Sequence, residues 1–134
     1  MLDLITPENV STETLKTIYD RALMETSYDK DGDLRVKDGI CCRVFSKNDR
    51  IRLLLVFGFK SFVDDQRRLE CINNINLEFI VVRASVGRTN NALFIDHDIM
   101  ITGGITTDAL VHTTRRFLAI SIAAIAEHGK DLVD

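Results

Sequence analysis

The chain has 134 residues, 46% hydrophobic and 28% charged, the make-up of a folded chain with one continuous core and not of a disordered segment. A formal net charge of −3 argues against a nucleic-acid binder, whose affinity rests on clustered Lys and Arg. The basic pairs Arg67-Arg68 and Arg115-Arg116 fall in helical patterns and read as solvated helix faces.

The opening residues "MLDLI" lack a basic region followed by an apolar stretch, so no signal peptide is expected. A helix is predicted from about Ser11 to Met24, with Leu15, Ile18, Tyr19, Ala22 and Leu23 on one face. Thr6-Pro7 offers an earlier start, because Pro suits a first turn. Next comes "SYDKDGDLRVKDG", Ser27 to Gly39, which alternates Asp29, Asp31 and Asp33 around Gly32. A calcium-binding EF-hand loop begun at Asp29 needs glycine at its sixth position and a bidentate Glu at its twelfth, where this chain has Leu34 and Ile40. The stretch is read as a solvated turn that binds no calcium.

Asp38-Gly39 is a two-residue hairpin signal between the strands "DLRVK" and "ICCRVF". Cys41 and Cys42 are neighbours on a strand and point to opposite faces. With Cys71 they offer no CxxC pair, so three reduced thiols without zinc are expected, as in a cytoplasmic protein. The third strand, Arg50 to Phe59, sets Ile51, Leu53, Leu55, Phe57 and Phe59 on one face, with Leu54 and Val56 apolar on the other. That pattern predicts a central strand, or a second face covered by something.

A second helix is predicted from an N-cap at Ser61 to about Asn74, burying Phe62, Leu69, Ile72 and Ile75, with Asn73, Asn74 and Asn76 at its left-handed end. "FIVVRASV" and "ALFIDHDIMI" are two further strands joined by the turn cluster "GRTNN". After the Gly103-Gly104 break, Thr106 or Thr107 caps a long helix running to about His128. Its apolar stretch, Phe117 to Ala126, is interrupted by Ser121 and is too short to span a bilayer. The element order is α-β-β-β-α-β-β-α, an α+β class with an antiparallel sheet packed with helices, in a single domain over residues 1–134.

That order, with "INNIN" (Ile72 to Asn76) before a strand pair, "FIDHDIMITGGIT" (Phe94 to Thr106) and the long last helix, resembles the YbjN family over roughly Leu15 to Glu127. The resemblance implies a type III secretion chaperone-like fold and a role as a bacterial sensory transduction regulator. It implies no active-site residues.

Asp96-His97-Asp98 is the densest group of candidate ligands or acid–base residues. On a strand the two carboxylates share a face and His97 points away from them, so the three do not converge on one ion. No second His or Cys stands nearby, and His112 and His128 do not form HExxH. No nucleophile elbow or phosphate-binding glycine loop occurs, so neither catalysis nor a cofactor is expected. The last helix places Leu110, Thr114, Phe117, Leu118, Ser121, Ile122 and Ile125 on its core stripe, while Ala119, Ile120 and Ala123 keep its other side apolar. Leu54, Val56, Ala119, Ile120 and Ala123 are therefore the candidate interface, for a homodimer or another protein. The reading is a cytoplasmic protein-binding module with no nucleic-acid or membrane partner. The alternative is a small-molecule or metal-dependent sensor or enzyme using Asp96, His97 and Asp98.

Overall fold

In the computed structural model, which describes residues 4–88 and 91–134, the chain runs through eight strands and three helices. In order these are β1 (Leu4–Ile5), α1 (Thr12–Arg21), β2 (Glu25–Tyr28), β3 (Leu34–Asp38), β4 (Ile40–Lys47) and β5 (Arg50–Gly58). Then follow α2 (Asp65–Glu78), β6 (Arg83–Val86), β7 (Ala92–Met100), β8 (Ile105–Thr106) and α3 (Thr107–Ala124), extended by a π-helical turn, Ile125–Gly129. Six strands make one antiparallel sheet in the order β2-β3-β4-β5-β7-β6, while β1 and β8 pair separately. Strand β5 is central, lying between β4 and β7, which is one of the two arrangements its doubly apolar pattern allows.

The three strands beyond the expected order are β1, β2 and β8. They are two to four residues long, too short for an alternating pattern to register. Helix starts obey local chemistry. Ser11 Oγ accepts the Thr14 N–H, and Thr106 Oγ1 accepts the Ala109 N–H. For α2 the cap is Asp64, which accepts the Arg67 N–H, and not Ser61. The later start leaves Phe62 outside the helix, and the buried stripe follows Cys71 and Ile75, away from Leu69. Cys71 and Ile75 are the buried residues of α2, whereas Phe62 and Leu69, expected inside, are each 62% exposed. Helix α2 also continues through Asn73, Asn74 and Asn76 instead of ending among them. Leu23 likewise leaves the expected face, because α1 stops at Arg21 and Leu23 takes a left-handed φ of 62°; Met24 is buried in its stead. Of "GRTNN", Thr89 and Asn90 lie outside the described residues.

The core lies between one sheet face and all three helices. Leu34, Val36, Val44, Ile51, Leu53 and Leu55 face Leu15 and Ile18 of α1, Ile75 of α2, and Leu110, Phe117 and Leu118 of α3. Tyr19 joins two helices inside this layer. Its hydroxyl lies 2.8 Å from Thr114 Oγ1, which itself donates to the Leu110 carbonyl at 2.8 Å, so Tyr19 is the donor. Burial pushes the Tyr19 phenol above its ordinary range.

With its π-helical turn, α3 forms a 23-residue helix, Thr107–Gly129, which by length and composition alone is apolar enough to cross a membrane. This corrects the reading of the shorter Phe117–Ala126 stretch. In the fold this helix serves the core, where Leu110, Val111, Thr114, Phe117, Leu118, Ser121 and Ala124 are buried. Ile122, expected on that stripe, is 41% exposed, and Ile120, expected to face away, is half-buried against the core. The burial stripe runs through Ser121 and Ala124 and so leaves Ile122 outside it.

Candidate functional site

Successive side chains on a strand point to opposite faces, so each strand that buries one set presents another to the uncovered side. No helix among the described residues packs on that side. Leu54 and Val56 of β5 emerge there, with Cys41 and Phe45 of β4 and Phe94 of β7. The register assembles them into rows. Arg43, Leu54, Asp96 and Arg83 are successive cross-strand partners, as are Phe45, Arg52 and Asp98, and Val56, Phe94 and Ser85. An aliphatic centre is thus flanked by charged pairs, and Val56 is 44% exposed.

Two ion pairs lock the β7 carboxylates. Arg83 grips Asp96 through Nε and Nη2 at 2.9 and 2.8 Å. Arg52 grips Asp98 at 2.9 and 3.3 Å, with Arg50 at 3.5 Å. Two-point contact of this kind fixes geometry as well as charge. The Arg52 hydrogen bond, opposed by some desolvation, holds the Asp98 carboxyl below its ordinary range. Leu54 stands between two shallow hollows. One, of about 350 Å³, is lined by Phe45, Ser46, Lys47, Arg50 and Arg52; the other, of about 210 Å³, by Arg35, Cys41, Arg43 and Val56.

His97 points the other way, into the core layer, with its ring stacked 6.5 Å from that of Phe117. The Asp96/His97/Asp98 group therefore divides between two faces, as strand parity requires. The candidate interface residues also separate. Leu54 and Val56 lie on the open sheet face, whereas Ala119 and Ala123 are exposed on the outer side of α3, across the molecule from them. Ile120 belongs to the core margin. One patch containing all five does not exist.

Cys41 lines a hollow on the open face and Cys42 points into the core, where burial pushes its thiol up to about 12. Cys71 is raised by burial too. In the Asp29 turn the three carboxylates have oxygens within 4.8 Å of one another, a spacing that could hold a cation. Asp29 Oδ1 already accepts the Asp31 and Asp33 N–H groups, and Arg43 Nε stands 3.4 Å from Oδ2. The Asp33 N–H leads the causes that hold Asp29 below its usual range.

Sequence reasoning missed two features. Glu78, Glu127 and His128 converge within 4.8 Å, with His128 Nε2 2.6 Å from Glu78 Oε2, where the end of α2 meets the π-helical turn. Their separation along the chain carries no motif. Phe62, Leu69, Leu77 and Ile80, in α2 and just beyond its two ends, are exposed large apolar residues.

A family model named YbjN, described as "Putative bacterial sensory transduction regulator", matches residues 11–127. Among solved structures, the chain is similar to YbjN from E. coli, "a putative transcription regulator": 15% identity, TM-score 0.75, over 93% of this chain and 96% of that one. It is also similar to the Yersinia pestis type III secretion chaperone SycH, solved in complex with a stable fragment of YscM2: 12% identity, TM-score 0.54, over 84% and 98%. At such identities the likeness is one of fold. No curated protein sequence matches the chain.

Proposed function

The chain belongs to the YbjN family, and from that premise we propose that it is a non-catalytic, single-domain protein-binding module of the cytoplasm, regulatory or chaperone-like in role, that receives a protein partner on the open face of its sheet. The observation that carries this reading is the one-sided sheet: a central strand with Leu54 and Val56 turned away from all three helices. Removing apolar area from water is worth about 25 cal/mol per Å², so a partner that covers this strip gains from it. The fold neighbour solved with a bound protein fragment supports protein binding in general. Catalysis on Asp96, His97 and Asp98 is disfavoured, because each carboxylate is held by an arginine and the imidazole faces the core.

Self-association, on this reading, uses the opposite side of the molecule, where Ala119, Ile122 and Ala123 leave the outer turn of α3 apolar. The partner site is tested by placing a photo-crosslinking residue at position 54 and, as control, at position 13 on the solvent side of α1. Crosslinked protein adducts in native cells are expected from position 54 alone. Equal adducts at both positions, or none at position 54, refute the site.

A further inference from the structure

Resting on that reading, we propose that the partner presents an acidic segment with interspersed apolar side chains. The strands place Arg35, Lys37, Arg43, Lys47, Arg50, Arg52 and Arg83 on the open face, against Glu25, Asp96 and Asp98, with Asp29 at the end of β2 already paired with Arg43. The whole chain carries a formal charge of −3, so this basic excess is local and the rest of the surface is correspondingly acidic. The two β7 carboxylates are already neutralised by Arg83 and Arg52. Arg35, Lys37 and Lys47 form no ion pair among the described residues, and they border the two hollows beside Leu54 or stand next to them. Apolar side chains entering the hollows would bring flanking carboxylates to these cations, a complementarity that gives both register and rate.

A second copy of this chain does not fit the same face, because a two-fold would set the basic rims against each other. Nucleic acid fits poorly as well. The centre of the face is aliphatic, and Asp96 and Asp98 lie within it where a backbone phosphate would pass.

The test is selection of a random 16-residue peptide display library on the intact protein, followed by fluorescence anisotropy with the enriched peptides. Acidic peptides with apolar residues are expected, their binding lost in Leu54→Asp and weakened about tenfold or more in Arg35→Glu/Lys47→Glu. Circular dichroism checks folding, and Val56→Asp replaces Leu54→Asp if the latter does not fold. Enriched peptides that depend on Leu54 but are neutral or basic overturn this inference and leave the open-face reading standing. Peptides indifferent to both Leu54 and Val56, or no enrichment, overturn both. Labelled duplex DNA and vesicles of phosphatidylglycerol run in parallel. Binding of either that is tighter than the peptides' and sensitive to Leu54→Asp assigns the face to that ligand and refutes the acidic protein segment.

Discussion

Replacing Asn76 with alanine should unfasten α2 from the edge of the sheet. Asn76 sits inside α2, and its amide meets the outer side of β6 at two points: Oδ1 accepts the Ala84 N–H at 2.9 Å, and Nδ2 donates to the Ala84 carbonyl at 3.2 Å. Strand β6 is the last strand of the sheet, so these backbone groups have no neighbouring strand to pair with. Ala84 itself is only 4% exposed. The side chain therefore stands in for a missing strand and blocks the edge. Each bond is worth about 1 kcal/mol net, and a buried backbone group left unpaired costs about 1–3 kcal/mol. Alanine returns about 0.6 kcal/mol through its better helix propensity. The expected net loss is about 2 kcal/mol, or about 8 °C in Tm for a chain of this size. Urea unfolding followed by circular dichroism measures it, with hydrogen exchange at the Ala84 amide as the local readout. Asn76→Asp, which keeps the acceptor and loses the donor, should fall between parent and Asn76→Ala. A change within about 0.5 kcal/mol for Asn76→Ala, with Ala84 exchange unaltered, would refute the argument.

The remaining expectations concern charge, thiols, metal and assembly. Arg52 keeps the folded-state pKa of Asp98 below its unfolded value, so the stabilisation is complete above about pH 4 and is lost as pH falls through the folded value. The stability gap between the parent and Asp98→Asn should close on acidification, and a gap independent of pH refutes the pairing. Cys41 should react with a maleimide well before Cys42 and Cys71 in the native protein, and all three should react once it is unfolded; simultaneous native labelling contradicts the burial seen here. Calorimetric titration of calcium into metal-free protein should be flat, because Asp29 is engaged by its own turn and by Arg43; saturable binding lost in Asp31→Ala overturns this. Ile122→Asp should leave the fold intact and convert a dimer into a monomer by light scattering, whereas a parent that is monomeric at tens of micromolar refutes the dimer.

Much of the fold is legible in the sequence wherever the deciding interaction is local. Ser11 and Thr106 announce helix starts because a side-chain oxygen bonds an amide three residues on. Asp38-Gly39 announces the β3–β4 hairpin, but the pairing of Asp38 with Ile40 centres the turn on Gly39 alone, at a φ of 81°, in place of the expected two-residue turn. The alternation of Leu34 and Val36, and of Ile51, Leu53 and Leu55, identifies one buried face. The residues between them also identify a second, partly apolar face on β5.

Parity, however, names two faces and does not say which one helices cover. That outcome depends on how α1, α2 and α3 pack across the sheet, and it alone makes Leu54 and Val56 a surface. The same holds for helix phase. In α2 the buried stripe follows Cys71 and Ile75 and leaves Leu69 outside, Phe62 precedes the Asp64 cap, and the α3 stripe exchanged the expected roles of Ile120 and Ile122. Several sequence frames satisfy an apolar helix about equally well, and contact with the sheet selects among them. Long-range pairings were out of reach altogether: Asn76 with Ala84, His128 with Glu78, and Arg83 with Asp96 join residues that no short spacing links. Local chemistry determined where elements begin and which side chains share a face; the closing of the three helices over one side of the sheet decided which face remained for a partner.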